Sequence, residues 1–174
     1  MPSSNRRNKA YRVAFLGLML GLALALSFFE SLLPALPFLP VGVKLGLSNI
    51  VTMYCLFFLG GRPAFSVAVL KSLFVLLMRG PVGAALSLAG GLFSVAMMLL
   101  SKRLPGLSNG IISMVGAISH NIGQLLLACV ILKSAYTLYY LPVMIISGAV
   151  MGAVTGILLR LVMPYLQNAD KAIE

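Results

Sequence analysis

The sequence predicts an all-α integral membrane bundle of six transmembrane helices. Two observations carry that expectation. First, 60% of the 174 residues are hydrophobic and only 9% are charged, with a mean hydropathy of +1.05. A soluble domain is closer to half apolar and about a quarter charged. Second, the apolar residues fall into six runs separated by glycine, proline and basic clusters. Most of these runs approach the roughly 20 residues that a bilayer core requires. The net charge of +10 does not point to nucleic acid, because the basic residues are scattered between apolar runs. Positive-inside topology produces that scatter.

Residues 1–10 are polar and basic and read as a cytoplasmic tail. The apolar run that follows begins like a signal peptide. It continues to Phe29, however, and five more runs follow, so 11–29 is read as the first span. Residues 30–41 contain Pro34, Pro37 and Pro40, which exclude a regular helix. Span 2 covers 43–59 and closes at Gly60-Gly61-Arg62-Pro63. Span 3 covers 64–78 and stops at Arg79-Gly80-Pro81. Span 4 covers 82–100, span 5 covers 111–132 and span 6 covers 141–163, ending before Pro164. One transmembrane domain thus occupies 11–165, with a cytoplasmic tail at 166–174. With the N-terminus inside, nine basic residues (Arg6, Arg7, Lys9, Arg12, Arg62, Lys102, Arg103, Arg160, Lys171) are cytoplasmic and three (Lys44, Arg79, Lys133) are outside. Both termini are therefore expected in the cytoplasm of a prokaryotic plasma-membrane protein. The chain has no Trp, so an aromatic belt has to come from tyrosines such as Tyr136, Tyr139, Tyr140 and Tyr165.

The candidate site begins at Gly42-Val43-Lys44-Leu45-Gly46-Leu47-Ser48-Asn49-Ile50. An irregular segment at this depth has to be covered by protein or line a cavity. Lys44 and Asn49 are candidate ligand contacts, while Ser48 reads better as a helix cap. Lys71 lies in mid-span, where an ionisable residue marks a functional site by default; snorkelling is the alternative. Arg79 flanks the same short spans. Span 5 carries Ser119, His120, Asn121 and Gln124, of which His120 and Gln124 share a helix face. Span 4 adds Ser87 among Gly83, Gly90, Gly91 and Ser94. These polar groups either bind a ligand or hydrogen-bond between helices. Against this cationic set stands Glu30 at most, so a small anionic or electron-rich ligand fits best. No metal site and no cofactor are expected, since Cys55 and Cys129 stand alone as small hydrophobes. No catalytic residue is expected either, because His120 has no carboxylate nearby.

Two small-residue stripes recur at four-residue spacing: Gly17, Gly21 and Ala25 in span 1, and Gly148, Gly152 and Gly156 in span 6. Such faces let another helix approach closely. Span 6 reads as packing inside the bundle, and span 1 as a face for an external partner.

Six short spans, a proline-bearing first loop and the small face of span 1 together resemble the substrate-binding S component of energy-coupling factor (ECF) vitamin transporters. The stretches 43–50, 80–91 (Gly80-Pro81-Val82-Gly83-Ala84-Ala85-Leu86-Ser87-Leu88-Ala89-Gly90-Gly91) and 119–124 (Ser119-His120-Asn121-Ile122-Gly123-Gln124) resemble the family labelled Gx transporter or heptaprenyl diphosphate synthase component I. The S-component likeness implies a micronutrient pocket near the outer face with the first loop as its lid. It also implies docking through span 1 onto a transmembrane coupling protein driven by ATPases; Gly17 and Gly21 stand where that face usually carries Ala. The synthase label implies instead a membrane accessory subunit of isoprenoid or menaquinone synthesis, with a soluble prenyl synthase as partner. The main expectation is the substrate-binding subunit of an importer, with the accessory subunit as alternative. A catalytic synthase is excluded on chemistry, because Mg²⁺ on a diphosphate needs clustered carboxylates and the chain has one Asp, Asp170, in its tail. A phosphate-binding Gly-Lys-Ser/Thr loop is absent as well.

Overall fold

The computed structural model describes the backbone of residues 3–32 and 48–171, and the side chains of 13–29, 32 and 48–161. Lys44 and the three prolines of the first loop lie outside the described residues. Among the described residues there are five α-helices: α1 (Ser3–Leu32), α2 (Asn49–Phe58), α3 (Gly61–Lys102), α4 (Asn109–Leu132) and α5 (Leu141–Lys171). A 3₁₀ turn, Ala135–Tyr140, leads into α5. The stretches Gly61–Lys102, Asn109–Leu132 and Ala135–Leu161 are long and apolar enough to cross a membrane, while the apolar parts Val13–Phe29 and Asn49–Phe58 are shorter. The chain is a multi-pass membrane protein.

Five helices rather than six separate ones appear because the third and fourth predicted spans join through Gly80. A straight α3 of 42 residues would reach about 63 Å, twice the bilayer core. It does not run straight. Gly80 has φ 75° and ψ −176°, a left-handed conformation that costs glycine nothing. Pro81 reinforces the break: it disfavours a helical residue before it and starts the next helix with a preset φ. The two halves then fold back on each other. A Cβ on Gly61 would lie 3.2 Å from the Leu99 side chain, and one on Gly91 would lie 3.3 Å from Ala68 Cβ. Ser72 Oγ lies 3.4 Å from Ser87 Oγ. These facing pairs centre on Gly80, so α3 is an antiparallel helical hairpin.

Three boundaries also differ from expectation. α1 starts at Ser3, inside the expected tail, because the Arg and Lys residues there are good helix formers. α2 starts at Asn49 and is only 10 residues long. α5 continues through Pro164 to Lys171, since one proline removes a single helix hydrogen bond without forcing the chain to stop.

α4 is wedged between the second half of α3 and α5, and glycines set both contacts. Cβ atoms on Gly148, Gly152 and Gly156 of α5 would lie 2.8, 2.5 and 3.0 Å from the Cα atoms of Ile118, Met114 and Gly110. On the other side, a Cβ on Gly116 would lie 2.5 Å from Met98 Sδ, and one on Gly123 would lie 3.0 Å from the Ala89 carbonyl oxygen. The apolar core gathers toward the end of the bundle opposite Gly80, around Met53, Leu56, Val67, Val95, Met98 and Ile112. α1 closes this core with Met19 and Ala23 and turns Gly17, Gly21 and Ala25 outward.

The two glycine stripes should therefore respond differently to substitution. Gly152→Val should cost about 1–3 kcal/mol by forcing α5 off α4. Gly17→Ala should not destabilise and should gain up to about 1 kcal/mol of helix propensity, as nothing among the described residues lies within 4 Å of that position. Thermal melting of the detergent-solubilised protein, followed by circular dichroism, checks both.

Candidate functional site

A layer of buried polar side chains lies between the apolar core and the Gly80 turn. The helix starts and the α3 hairpin position it. Lys71 sits nine residues before the turn and is 3% exposed. Its ammonium donates to Ser48 Oγ at 3.2 Å. Ser48 therefore does not cap α2 through its side chain, contrary to expectation, because its hydroxyl serves Lys71. Beside Lys71, Ser72 Oγ donates to the Ala68 carbonyl at 2.8 Å and reaches Ser87 Oγ across the hairpin. Ser87 is thus buried in this layer.

α4 brings in the second set. His120 is 5% exposed, and its Nε2 lies 3.2 Å from Gln124 Nε2, one turn on. The absence of a side chain at Gly90 allows this placement: a Cβ there would lie 2.8 Å from the His120 carbonyl oxygen and 2.8 Å from Gln124 Cγ. Asn121 faces α5 instead, donating to the Met144 carbonyl at 2.9 Å and to Ser147 Oγ at 3.2 Å. Its amide ties two helices together.

Asn49 links α2 to this set. Ser94 Oγ donates to the Gly116 carbonyl at 2.7 Å, so it can only accept from Asn49 Nδ2, at 3.5 Å. That fixes the amide, and Asn49 Oδ1 faces away from Ser94. Among the described residues, Asn49 Oδ1, Thr52 Oγ1, His120 Nδ1 and Gln124 Oε1 are buried without a hydrogen-bond partner. Each such group costs about 1–3 kcal/mol unless something satisfies it. Asn49, His120, Asn121 and Thr155 also line a cavity of about 10 Å³, which holds about one water molecule. The layer can therefore donate and accept hydrogen bonds and carries one buried cation.

Of the candidate residues, Asn49, Lys71, Ser87, His120, Asn121 and Gln124 are all buried in this layer. Arg79 is exposed beside Gly80, two helical turns beyond Lys71, and its guanidinium is not part of the buried set. Lys44 lies outside the described residues. Gly17, Gly21 and Ala25 are exposed on α1, and neither glycine has an atom within 4 Å of its Cβ position. The sequence reading missed Thr52, Ser72, Ser147 and Thr155. A lone hydroxyl in an apolar run gives little signal, although Ser72 adjoins Lys71 and Thr155 adjoins the span 6 glycine stripe. Cys55 is buried and Cys129 half-buried, and neither joins the layer.

Ser94→Ala should remove the link between α2, α3 and α4. The expected loss is about 0.6–2 kcal/mol, the range of interhelical hydrogen bonds in lipid. Equilibrium unfolding in mixed micelles measures it, with Ser66→Ala as the control, because Ser66 only returns to its own helix at the Arg62 carbonyl.

Comparison with known proteins adds one finding. The family model for heptaprenyl diphosphate synthase component I matches residues 19–162, more than four-fifths of the chain. No curated protein and no solved structure matches it at a significant level. The matched range includes α2, α3 and α4 entirely, the second half of α1 from residue 19, and most of α5. The chain belongs to the heptaprenyl diphosphate synthase component I family.

Proposed function

We propose that the chain is a non-catalytic membrane subunit that works beside a soluble prenyl diphosphate synthase in isoprenoid or menaquinone synthesis. One observation carries this reading: a member of this family with no carboxylate side chain between Glu30 and Asp170. Prenyl transfer to an allylic diphosphate needs carboxylates to hold Mg²⁺, and a sequence with a single Asp supplies no such cluster. The chemistry then belongs to the partner, and the membrane subunit supplies a surface and a place for the apolar product. The bundle crosses the bilayer six times, with the two halves of α3 as separate crossings. Both termini face the cytoplasm, following the bias of nine basic residues against three.

A second reading has its own support. Of the two glycine stripes, α5 uses its stripe against α4, whereas Gly17 and Gly21 of the one on α1 meet nothing within 4 Å among the described residues. That stripe and the buried Lys71–His120 layer fit a substrate-capturing subunit of an ECF-type importer. Gly17, Gly21 and Ala25 would dock on a coupling protein driven by ATPases, and the layer would hold a small anionic or aromatic micronutrient.

Purification of the tagged chain from its native membranes separates the two readings. The accessory-subunit reading expects a soluble prenyl synthase to co-purify, and a coupling protein with ATPases in its place would overturn it. Two variants sharpen the outcome. Gly17→Leu with Gly21→Leu should leave the fold intact, and loss of the coupling protein on this change would support the importer. Lys71→Met should abolish small-ligand binding if the importer reading holds, and unchanged affinity removes Lys71 from the site.

A further inference from the structure

A second concave region lies at the end of the bundle opposite Gly80, separate from the polar layer. It is a groove of about 440 Å³ between α1 and the α2–α3 turn, lined by Leu16, Leu59, Gly61, Arg62 and Pro63. That volume is within the roughly 300–1,000 Å³ of ligand sites. Leu16, Leu59, Gly61 and Pro63 are half-buried, while Arg62 is exposed. Leu16 and Leu59 also pack on the apolar core, which holds the apolar wall in place. Arg62 is the charged member of the lining, and none of the five residues is acidic. The helices that form the groove fix its level in the bilayer. The apolar part of α1 begins at Val13, about one turn before Leu16, and the apolar stretch of α3 begins at Gly61 itself. Both helices therefore leave the hydrocarbon at this height. Arg62 sits at the headgroup level, and Leu16 lies one turn further into the hydrocarbon.

We propose that this groove binds one anionic phospholipid of the surrounding leaflet, with its phosphate on Arg62 and an acyl chain along Leu16, Leu59 and Pro63. The order of groups along the groove selects an amphiphile: a cation at the headgroup level, then an apolar wall toward the bilayer. A guanidinium meets a phosphate through two parallel hydrogen bonds, which match in shape as well as charge. One cation suits the single phosphodiester of a phospholipid. Gly61 and Arg62 add their own N–H groups, because the first residues of α3 have no helical carbonyl to reach. The lack of an acid in the lining selects further among headgroups. A zwitterionic lipid brings an ammonium, which would meet the Arg62 charge and no carboxylate. Phosphatidylglycerol brings only its phosphate and neutral hydroxyls. The assignment does not depend on the accessory-subunit reading, since it concerns a lipid held by the bundle and not the chemistry of a partner.

The test uses the full-length protein in phosphatidylcholine nanodiscs. Phosphatidylglycerol, phosphatidylethanolamine, diacylglycerol and inorganic phosphate are titrated separately, and bound molecules are counted by native mass spectrometry. Phosphatidylglycerol should fill one site per chain and bind at least about fivefold more tightly than the other three. Arg62→Gln should weaken it about fivefold, the scale of one basic residue beside an anionic lipid. Arg62→Lys should lose less, because the charge remains and only the two-point contact goes. Lys133→Gln, at the other end of the bundle, should leave binding unchanged. Equal binding of phosphatidylethanolamine shows that the headgroup charge is not read, and overturns the proposal. Equal binding of inorganic phosphate identifies a free-anion site and overturns it too. Several equivalent phosphatidylglycerol molecules with no single saturable site mean an ordinary lipid shell, with the same consequence. So does indifference to Arg62→Gln. A dimer that forms in place of lipid binding gives the groove to a second copy of the chain and also overturns the proposal.

Discussion

Close backbone approach at α4 is the constraint on which the rest of the structure depends. In lipid, burying apolar surface gives helices little reason to associate, so packing and interhelical hydrogen bonds have to do it. α4 meets α5 along Gly148, Gly152 and Gly156 and meets α3 at Gly90, Gly116 and Gly123. These contacts fix the height of α4 against both neighbours. That height brings His120 and Gln124 level with Gly90, and it brings Gly116 to Ser94, whose hydroxyl then accepts from Asn49. The polar layer is thus a consequence of register, and the glycines set the register.

The layer has two kinds of members. Asn121, Ser94 and Ser113 spend their hydrogen bonds on neighbouring helices, at the carbonyls of Met144, Gly116 and Gly152. Asn49, Thr52, His120 and Gln124 each keep a buried polar atom without a protein partner among the described residues. The first set holds the bundle together. The second offers hydrogen bonds to water or a polar ligand, at a point where three helices meet.

Much of this was legible in the sequence, and the misses have physical causes. Composition and the spacing of apolar runs gave the membrane class and the positions of α3, α4 and α5. The stretch Arg79-Gly80-Pro81 gave the break in α3, because only glycine takes that φ readily and proline starts the next helix. Lys71, His120 and Gln124 were legible because ionisable and amide groups are rare in apolar runs. Ser48 was misread, since capping preference is a local property and a lysine 23 residues away claims its hydroxyl. Arg79, placed with the site because it flanks a short span, is exposed beside the Gly80 turn and outside the buried set. Asn121, one position on from His120 and so rotated by about 100°, hydrogen-bonds to α5 and still borders a cavity with His120. Thr52, Ser72, Ser147 and Thr155 carry no pattern that distinguishes a layer member from an ordinary hydroxyl. The outward stripe on α1 and the inward one on α5 look alike in sequence, and only the fold separates them.

The central claim is that this bundle lends a membrane site to chemistry performed elsewhere. Reconstitution tests it most directly. The soluble prenyl synthase of the same cell is assayed for chain elongation with empty vesicles and with vesicles carrying this protein. The account predicts that elongation rises when the protein is present and that the vesicles alone show no prenyl transfer. An unchanged synthase rate would contradict it.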